Sequence, residues 1–476
     1  MKPARTAPII IGGNAIMTRR TLLGGAAALA AARFRLRADP PADPARQLEQ
    51  ILARIRPPQF PDRVFDITRF GARQGGQIKS TGAIRDAIQA CSAAGGGRVV
   101  IPAGIFLTGA VHLSNNVNLH LEDGATLRFS QDPQDYLPVV FTRFESTECM
   151  NYSPFIYAFE QSNIAVTGNG TLDGGADADH WWPWKKNAVR GPQPASSDNR
   201  ALLAQGEKDV PVSQRVYGDG STLRPNFVQP YRSTNVLLEG VTIRNSPMWE
   251  LNPVLCRNVT VRNVKISSHG PNNDGCDPEC STDVLIDGCE FDTGDDCIAI
   301  KSGRNRDGRR VNVPCENIVV RNCRMKDGHG GVSIGSEVSG GIRNVYMENN
   351  RMDSPHLLNG LRIKTNSYRG GSLENFYFRS NTIGQVAVAV IAVDFYYEEG
   401  PGGPFTPSVR NVVVENVTSG RSRYALYLRG YEKAKISSVR VGHCVFNNVA
   451  GPDVIENVAG LELVDDTRNG KPMTEK

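Results

Sequence analysis

From Asn163 onward, β-branched and aromatic residues alternate with polar ones in short runs that break at Asn, Gly or Asp. One phrase recurs with variations: "NIAVTGNGTLDG", "NVLLEGVTIRNS", "NVTVRNVKISSHG", "DVLIDGCEFDTGDD", "NIVVRNCRMKDGHG", "NVYMENNRMDSP", "NFYFRSNTIG" and "NVVVENVTSG". Starts at 235, 258, 283, 317, 344, 375 and 411 lie 23, 25, 34, 27, 31 and 36 residues apart. Period-two alternation predicts strands with one buried face. A fixed phrase at irregular intervals predicts a constant unit carrying loops of different length. No ten-residue helical period separates successive phrases, so crossover helices are not expected. The unit is also too short for a propeller blade of about 40–50 residues. The pattern predicts an all-β right-handed parallel β-helix, a solenoid whose coils each bury their apolar face only by stacking.

Upstream, "RVFDITRFGA" reads as a first strand, and "TGAIRDAIQACSAAGGG" as a helix with Ile84, Ile88 and Cys91 on one face, stopped by glycines. Such a helix would cap the N-terminal end of the solenoid. "PARQLEQILARIRPP" places Leu48, Ile51, Leu52 and Ile55 at helical spacing, which surface packing explains. Residues 176–232 lack the repeat and read as a long excursion beside the solenoid. Its Trp181, Trp182 and Trp184 could stack on a sugar ring or equally well fold the loop itself.

The chain divides into residues 1–38, a linker with a short helix at 39–62, and one β-helix domain at 63–476. The first part holds Arg19 and Arg20 ahead of an apolar run, Leu22 to Ala32, too short to anchor in a membrane. It reads as a twin-arginine export signal, with Met17 as a possible true start and a periplasmic or secreted destination. This segment contains seven basic residues and no acid, so its removal turns the formal net charge of +5 into −2. Overall charge therefore gives no reason to expect a nucleic-acid partner, and attraction for an acidic ligand has to be local. All ten cysteines fall after the signal, and Cys289 and Cys323 occupy matching places in successive phrases, as stacked core residues would. Cys276 and Cys280 lack a second ligand pair, so no zinc site is expected.

Stacking converts the phrases into a map, since equivalent residues of neighbouring coils lie about 4.8 Å apart. Aligning "GDDCIAIKS" with "GHGGVSIGS" sets Asp295 against His329, and one coil earlier Asp274 falls against Asp296. "NGLRIKT" then sets Arg362 beside Ser333 and Lys364 beside Lys301. With Ile298, Ile300, Val332, Ile334 and Ile363 pointing inward, Arg362 and Lys364 are expected to face solvent on the outer wall. Grouped carboxylates suit glycosidic cleavage, in which one gives a proton to the leaving oxygen and another, ionised, acts on water or carbon. Crowding supplies the difference in protonation.

"NND", "GDD", "GHG" and "RIK", in that order from about Val64 to Asp465, resemble the signature of glycoside hydrolase family 28, the polygalacturonase family. The resemblance implies inverting hydrolysis of α-1,4-linked galacturonate in an acidic plant polysaccharide, with no cofactor or metal. Carried over, Asp295 is the general acid, Asp274 and Asp296 activate water, His329 orients the acid, and Arg362 with Lys364 binds a substrate carboxylate. Asn273 stands where the family has threonine. The family's substrate-contacting tyrosine has no clean match in "AVIAVDFYYEEG", where Phe395 or Tyr396 could serve. Asp277 faces either the substrate groove or a neighbouring turn.

A rhamnogalacturonan hydrolase is the alternative within hydrolases, although intact "GHG" and "RIK" favour galacturonate. A pectate lyase would have little use for a carboxylic-acid donor, and a non-catalytic solenoid little use for the triad. Residues 176–232 and the basic "GRNRDGRRVNVP" (303–314) could close one end of the groove, which favours exo action. A monomer without a membrane anchor is expected.

Overall fold

The asparagine that opens each phrase marks the turn into a sheet. Asn163, Asn235, Asn258, Asn317, Asn344, Asn375 and Asn411 all have φ between 55° and 63°, a left-handed conformation that asparagine adopts at low cost. Their amides stack from coil to coil. Asn344 donates to Asn317 at 3.0 Å, Asn375 to Asn344 at 3.0 Å and Asn411 to Asn375 at 2.7 Å. Where an aspartate, Asp283, interrupts the ladder, Asn317 still donates to it at 3.1 Å, and Arg54 pairs with it at 2.7 Å.

These contacts come from a computed structural model that describes residues 43–186 and 197–474. The segment read as an export signal lies outside the described residues. From Pro44 on, the chain forms one unit. Most coils give a strand to each of three faces, making a right-handed parallel β-helix. The first face is a thirteen-stranded sheet from Val64–Asp66 to Val458–Val464, and the second a thirteen-stranded sheet from Gly104–Thr108 to Lys471–Pro472. The third face begins with three strands ending at Val228–Tyr231. It passes through single bridging residues at Leu251 and Cys276, then continues as six strands from Ile298–Ile300 to Val454–Glu456. Ile298, Val332, Leu361, Ile391 and Leu426 pair in register along it and are all fully buried. The ladder of inward residues is thus a continuous apolar core.

Helix α1 (Pro44–Arg54) lies on the outer side of the first sheet, its Ile51 and, just past its end, Ile55 buried against Val319, Tyr346, Tyr377 and Val413. Helix α2 (Thr81–Ala93) buries Ile84, Ala87, Ile88 and Cys91 in the solenoid core, as a cap should. All ten cysteines are buried and free. The excursion is more ordered than a loop, since it contains helices α3 (Pro183–Lys186) and α4 (Ser197–Glu207). Likewise the basic segment after residue 302 folds as helix α5 (Asn305–Val311). Trp181 is buried against Tyr136 and Phe155, with ring centroids 5.4 and 5.7 Å away, so it folds the excursion.

Candidate active site

Three successive turns leading from the second face to the third carry Asp274, then Asp295 and Asp296, then His329. They stack tightly: a Cβ on Gly294 would sit 2.4 Å from the Gly270 carbonyl oxygen, so the glycine of "GDD" is required by close approach. The Gly275 amide donates to the Asp296 carbonyl at 3.0 Å and the His329 amide to the Asp295 carbonyl at 2.9 Å. The turn before Asp274 is fastened by Asn273, which accepts from Ser268 and Gly270 and donates to the Ser246 and Met248 carbonyls. Asparagine in this place is a turn fastener. One oxygen from each of Asp274, Asp295 and Asp296 lies within 4.8 Å of the others.

The environments of these acids differ. Asp296 is fully buried, accepts from Lys364 Nζ at 2.6 Å and Ser333 Oγ at 2.7 Å, and lies 3.5 Å from Arg362. Burial alone would raise its carboxyl, but Lys364 and Arg362 outweigh that and hold it at about 2. Asp274 and Asp277 are also buried, yet both share a single cation, Lys301, at 3.6 and 3.5 Å, and Lys301 also pairs with Glu337 at 3.3 Å. Burial therefore wins and pushes both acids well above the usual carboxylate range, reinforced by neighbouring carboxylates. Asp295 is the most accessible of the three catalytic candidates. His329 Nδ1 donates to its Oδ1 at 2.8 Å, and this hydrogen bond raises the imidazole above its ordinary value against the effect of burial.

Two expectations need correction. Arg362 and Lys364 do not face open solvent: their side chains are 20% and 7% exposed. An outward position on a strand is not an exposed one when long loops rise on both sides of the sheet. Tyr396 does not join the basic pair either. It packs edge-on to Tyr431 at 5.0 Å, with Arg429 4.5 Å from its ring centre. Phe395 is buried in the core. The next residue, Tyr397, turns back over the site, with Arg362 and Lys364 5.4 and 5.2 Å from its ring centre. Asp277 lies behind Asp274 with Lys301 and makes no side-chain hydrogen bond to a turn.

Sequence reasoning passed over Lys301, using it only to align Lys364, although a lysine in register with "RIK" was itself a signal. Arg224 was missed because the excursion carries no repeat. It is buried and donates to the Pro271 carbonyl at 2.6 Å and to Asn272 Oδ1 at 2.8 Å, clamping the Asp274 turn. Burial lowers its guanidinium to about 10.

The excursion also crosses the third face just ahead of Asp274. On one side Trp182 donates to the Ser246 carbonyl at 2.9 Å and Arg224 to the Pro247 carbonyl at 2.8 Å. On the other, Arg215 pairs with Asp307 of α5 at 2.7 Å. Between them Leu202, Tyr217 and Leu223 form an apolar plug with Trp249, Met248, Phe144 and Cys149. These contacts gather on the coils ahead of Asp274, whereas beyond Arg362 the face continues with Tyr427 and Arg429 partly exposed.

The family profile described as Glycosyl hydrolases family 28 matches residues 204–458, more than half of the chain. An exo-poly-alpha-D-galacturonosidase of Dickeya chrysanthemi is 28% identical over 390 residues, covering 75% of this chain and 63% of that protein. A probable polygalacturonase of Vitis vinifera is 29% identical over 327 residues, covering 66% and 59%. The chain thus spans less than two thirds of the length of these two relatives. The crystal structure of a hyperthermoactive exopolygalacturonase from Thermotoga maritima superposes with a TM-score of 0.86 at 43% identity, covering 90% of this chain and 97% of that one. A family 28 exopolygalacturonase of Yersinia enterocolitica gives a TM-score of 0.66 at 25% identity, covering 87% and 80%. With its four motifs gathered on one face of a parallel β-helix, the chain belongs to glycosyl hydrolases family 28.

Proposed function

We propose that the protein is an exo-acting polygalacturonase that cleaves α-1,4-linked galacturonate from one end of the polymer, working as a monomer. The observation that carries this reading is the convergence of grouped acids with Arg362, Lys364 and Tyr397 in a groove that the excursion closes on one side. A polyuronate needs cations near the scissile bond, and a closed groove admits only a chain end. Similarity to an exopolygalacturonase over nearly the whole chain supports the same conclusion.

In this reading Asp295 protonates the leaving oxygen, since it is the most accessible of the three clustered acids and the one that His329 reaches, at 2.8 Å. Asp296, kept ionised by Lys364 and Arg362, activates water at the floor, Asp274 beside it helps to hold that water, and His329 orients Asp295. Arg362 and Lys364 bind the carboxylate of the sugar next to the scissile bond, with Tyr397 against them. Inversion follows from the family resemblance, although carboxylates this close are nearer to the separation of about 5–5.5 Å usual for retention. Export by the twin-arginine route rests on Arg19 and Arg20 with the apolar run after them. No helix among the described residues is long and apolar enough to cross a membrane.

The test is hydrolysis of polygalacturonate followed by NMR, with rhamnogalacturonan as a parallel substrate. The expected outcome is new reducing ends of inverted configuration, without ultraviolet-absorbing unsaturated ends. Initial retention defeats the stereochemical assignment, unsaturated ends defeat the hydrolase, and preference for rhamnogalacturonan defeats the substrate.

A further inference from the structure

Past His329, the turns between the second and third faces follow one another in register: Leu357 lies against Gly328, Ala387 against Leu357, and the Arg421 carbonyl accepts from the Val386 amide. Along this line, on the open side of the groove, lies a recess of about 590 Å³ bordered by residues of four successive turns: 355, 385–387, 421–423 and 450–451. Arg421 and Arg423 stand on its rim, both exposed. Neither guanidinium has a carboxylate partner among the described residues, and Arg423 lies 5.0 Å from the ring centre of Tyr424. By contrast, the floor arginine Arg429 is paired with Glu456 at 3.0 Å. Two unneutralised cations beside a recess, in line with the acids, have the chemistry of a polyanion track.

We infer that this recess is a distal binding site for the polyuronate chain, with Arg421 and Arg423 pairing with carboxylates of sugars that lie well beyond the scissile bond. Spacing supports it. The turn of Arg421 and Arg423 is three coils past that of His329, roughly 14 Å at the ladder rise of a β-helix, and one pyranose unit is close to one coil in length. A chain whose end sits against the excursion can leave the site only in this direction, so the fourth sugar or so comes abreast of the two arginines. The inference rests on the polygalacturonase reading and adds chain-length selectivity to it: longer chains gain contacts that a dimer or trimer cannot reach.

The experiment compares kcat/KM on oligogalacturonates of defined length for the wild type and the double variant Arg421→Gln, Arg423→Gln. The long-to-short ratio is expected to fall about tenfold in the variant, the combined effect of two solvent-exposed charge pairs. The salt sensitivity of the long-chain KM should fall with it. An unchanged ratio, or equal loss on all lengths, overturns the distal site. Calorimetry on Asp295→Asn, with and without the two arginine changes, reads binding of a long oligogalacturonate against its methyl-esterified counterpart. If no wild-type hydrolysis is seen, the polygalacturonase reading fails, while this binding comparison still decides the recess: weaker binding of the acidic chain after Arg421→Gln and Arg423→Gln supports it, and unchanged binding refutes it.

Discussion

His329 and Asp296 show how the same acidic cluster can keep one group protonated and another ionised. Asp296 stays a carboxylate because Lys364 Nζ is 2.6 Å away and Arg362 3.5 Å away. Asp295 in turn raises its neighbour, the imidazole of His329. The sign of the pH dependence follows from that direction. A raised imidazole contributes its charge fully below its ordinary value of about 6.5 and loses it only as pH climbs through the higher one. If the imidazolium is the working form, the alkaline limb of kcat/KM falls above about pH 6.5, and in His329→Gln that limb no longer follows an imidazole titration. A limb centred below the ordinary imidazole value contradicts the pairing. Asp296, held down at about 2, does not set the acidic limb in the usable range. The pairings of Asp295 with His329 and of Asp274 with Asp296 were legible in the sequence, because period-two alternation and, for the first pair, the Ile-x-Ser that ends both "GDDCIAIKS" and "GHGGVSIGS" leave one register. Their depth was not, since burial here comes from loops distant in sequence.

At the scale of single elements, the asparagine ladder explains why so many phrases begin with the same residue. Each rung needs a left-handed backbone and an amide that both donates and accepts, which asparagine supplies at once. Replacing Asn344 with alanine leaves Asn317 Oδ1 without its donor and Asn375 Nδ2 without its acceptor. The expected cost is about 1–3 kcal/mol, read as a lower denaturation midpoint; no change in midpoint would mean the ladder records geometry without stabilising it. The strands were readable for the same reason that the ladder exists, namely repetition. Elements without repetition were not: α4 and α5 are held by contacts such as Arg215 with Asp307, between segments that share no pattern. The tyrosine at the site was mislaid by one residue for a related reason. Past Asp394 the chain leaves the strand, alternation stops, and Phe395 enters the core while Tyr397 folds back over Lys364.

For the whole molecule, the net positive charge of the chain comes from its first 38 residues, and the cations that matter at the site are few and buried. Arg362, Lys364 and Lys301 face the acids directly, while Arg304, among Glu145, Glu337, Glu398 and Glu399, joins the neighbouring loops. In the proposed reading one long excursion makes the groove asymmetric by blocking it ahead of Asp274 and leaving it open beyond Arg362. The product profile of polygalacturonate digestion over time tests that asymmetry most directly, with Asp295→Asn as a folded control that releases nothing. One short galacturonate product is expected to accumulate from the first time point while the remaining polymer shortens slowly. An early ladder of intermediate oligomers, or product release undiminished in Asp295→Asn, would contradict it.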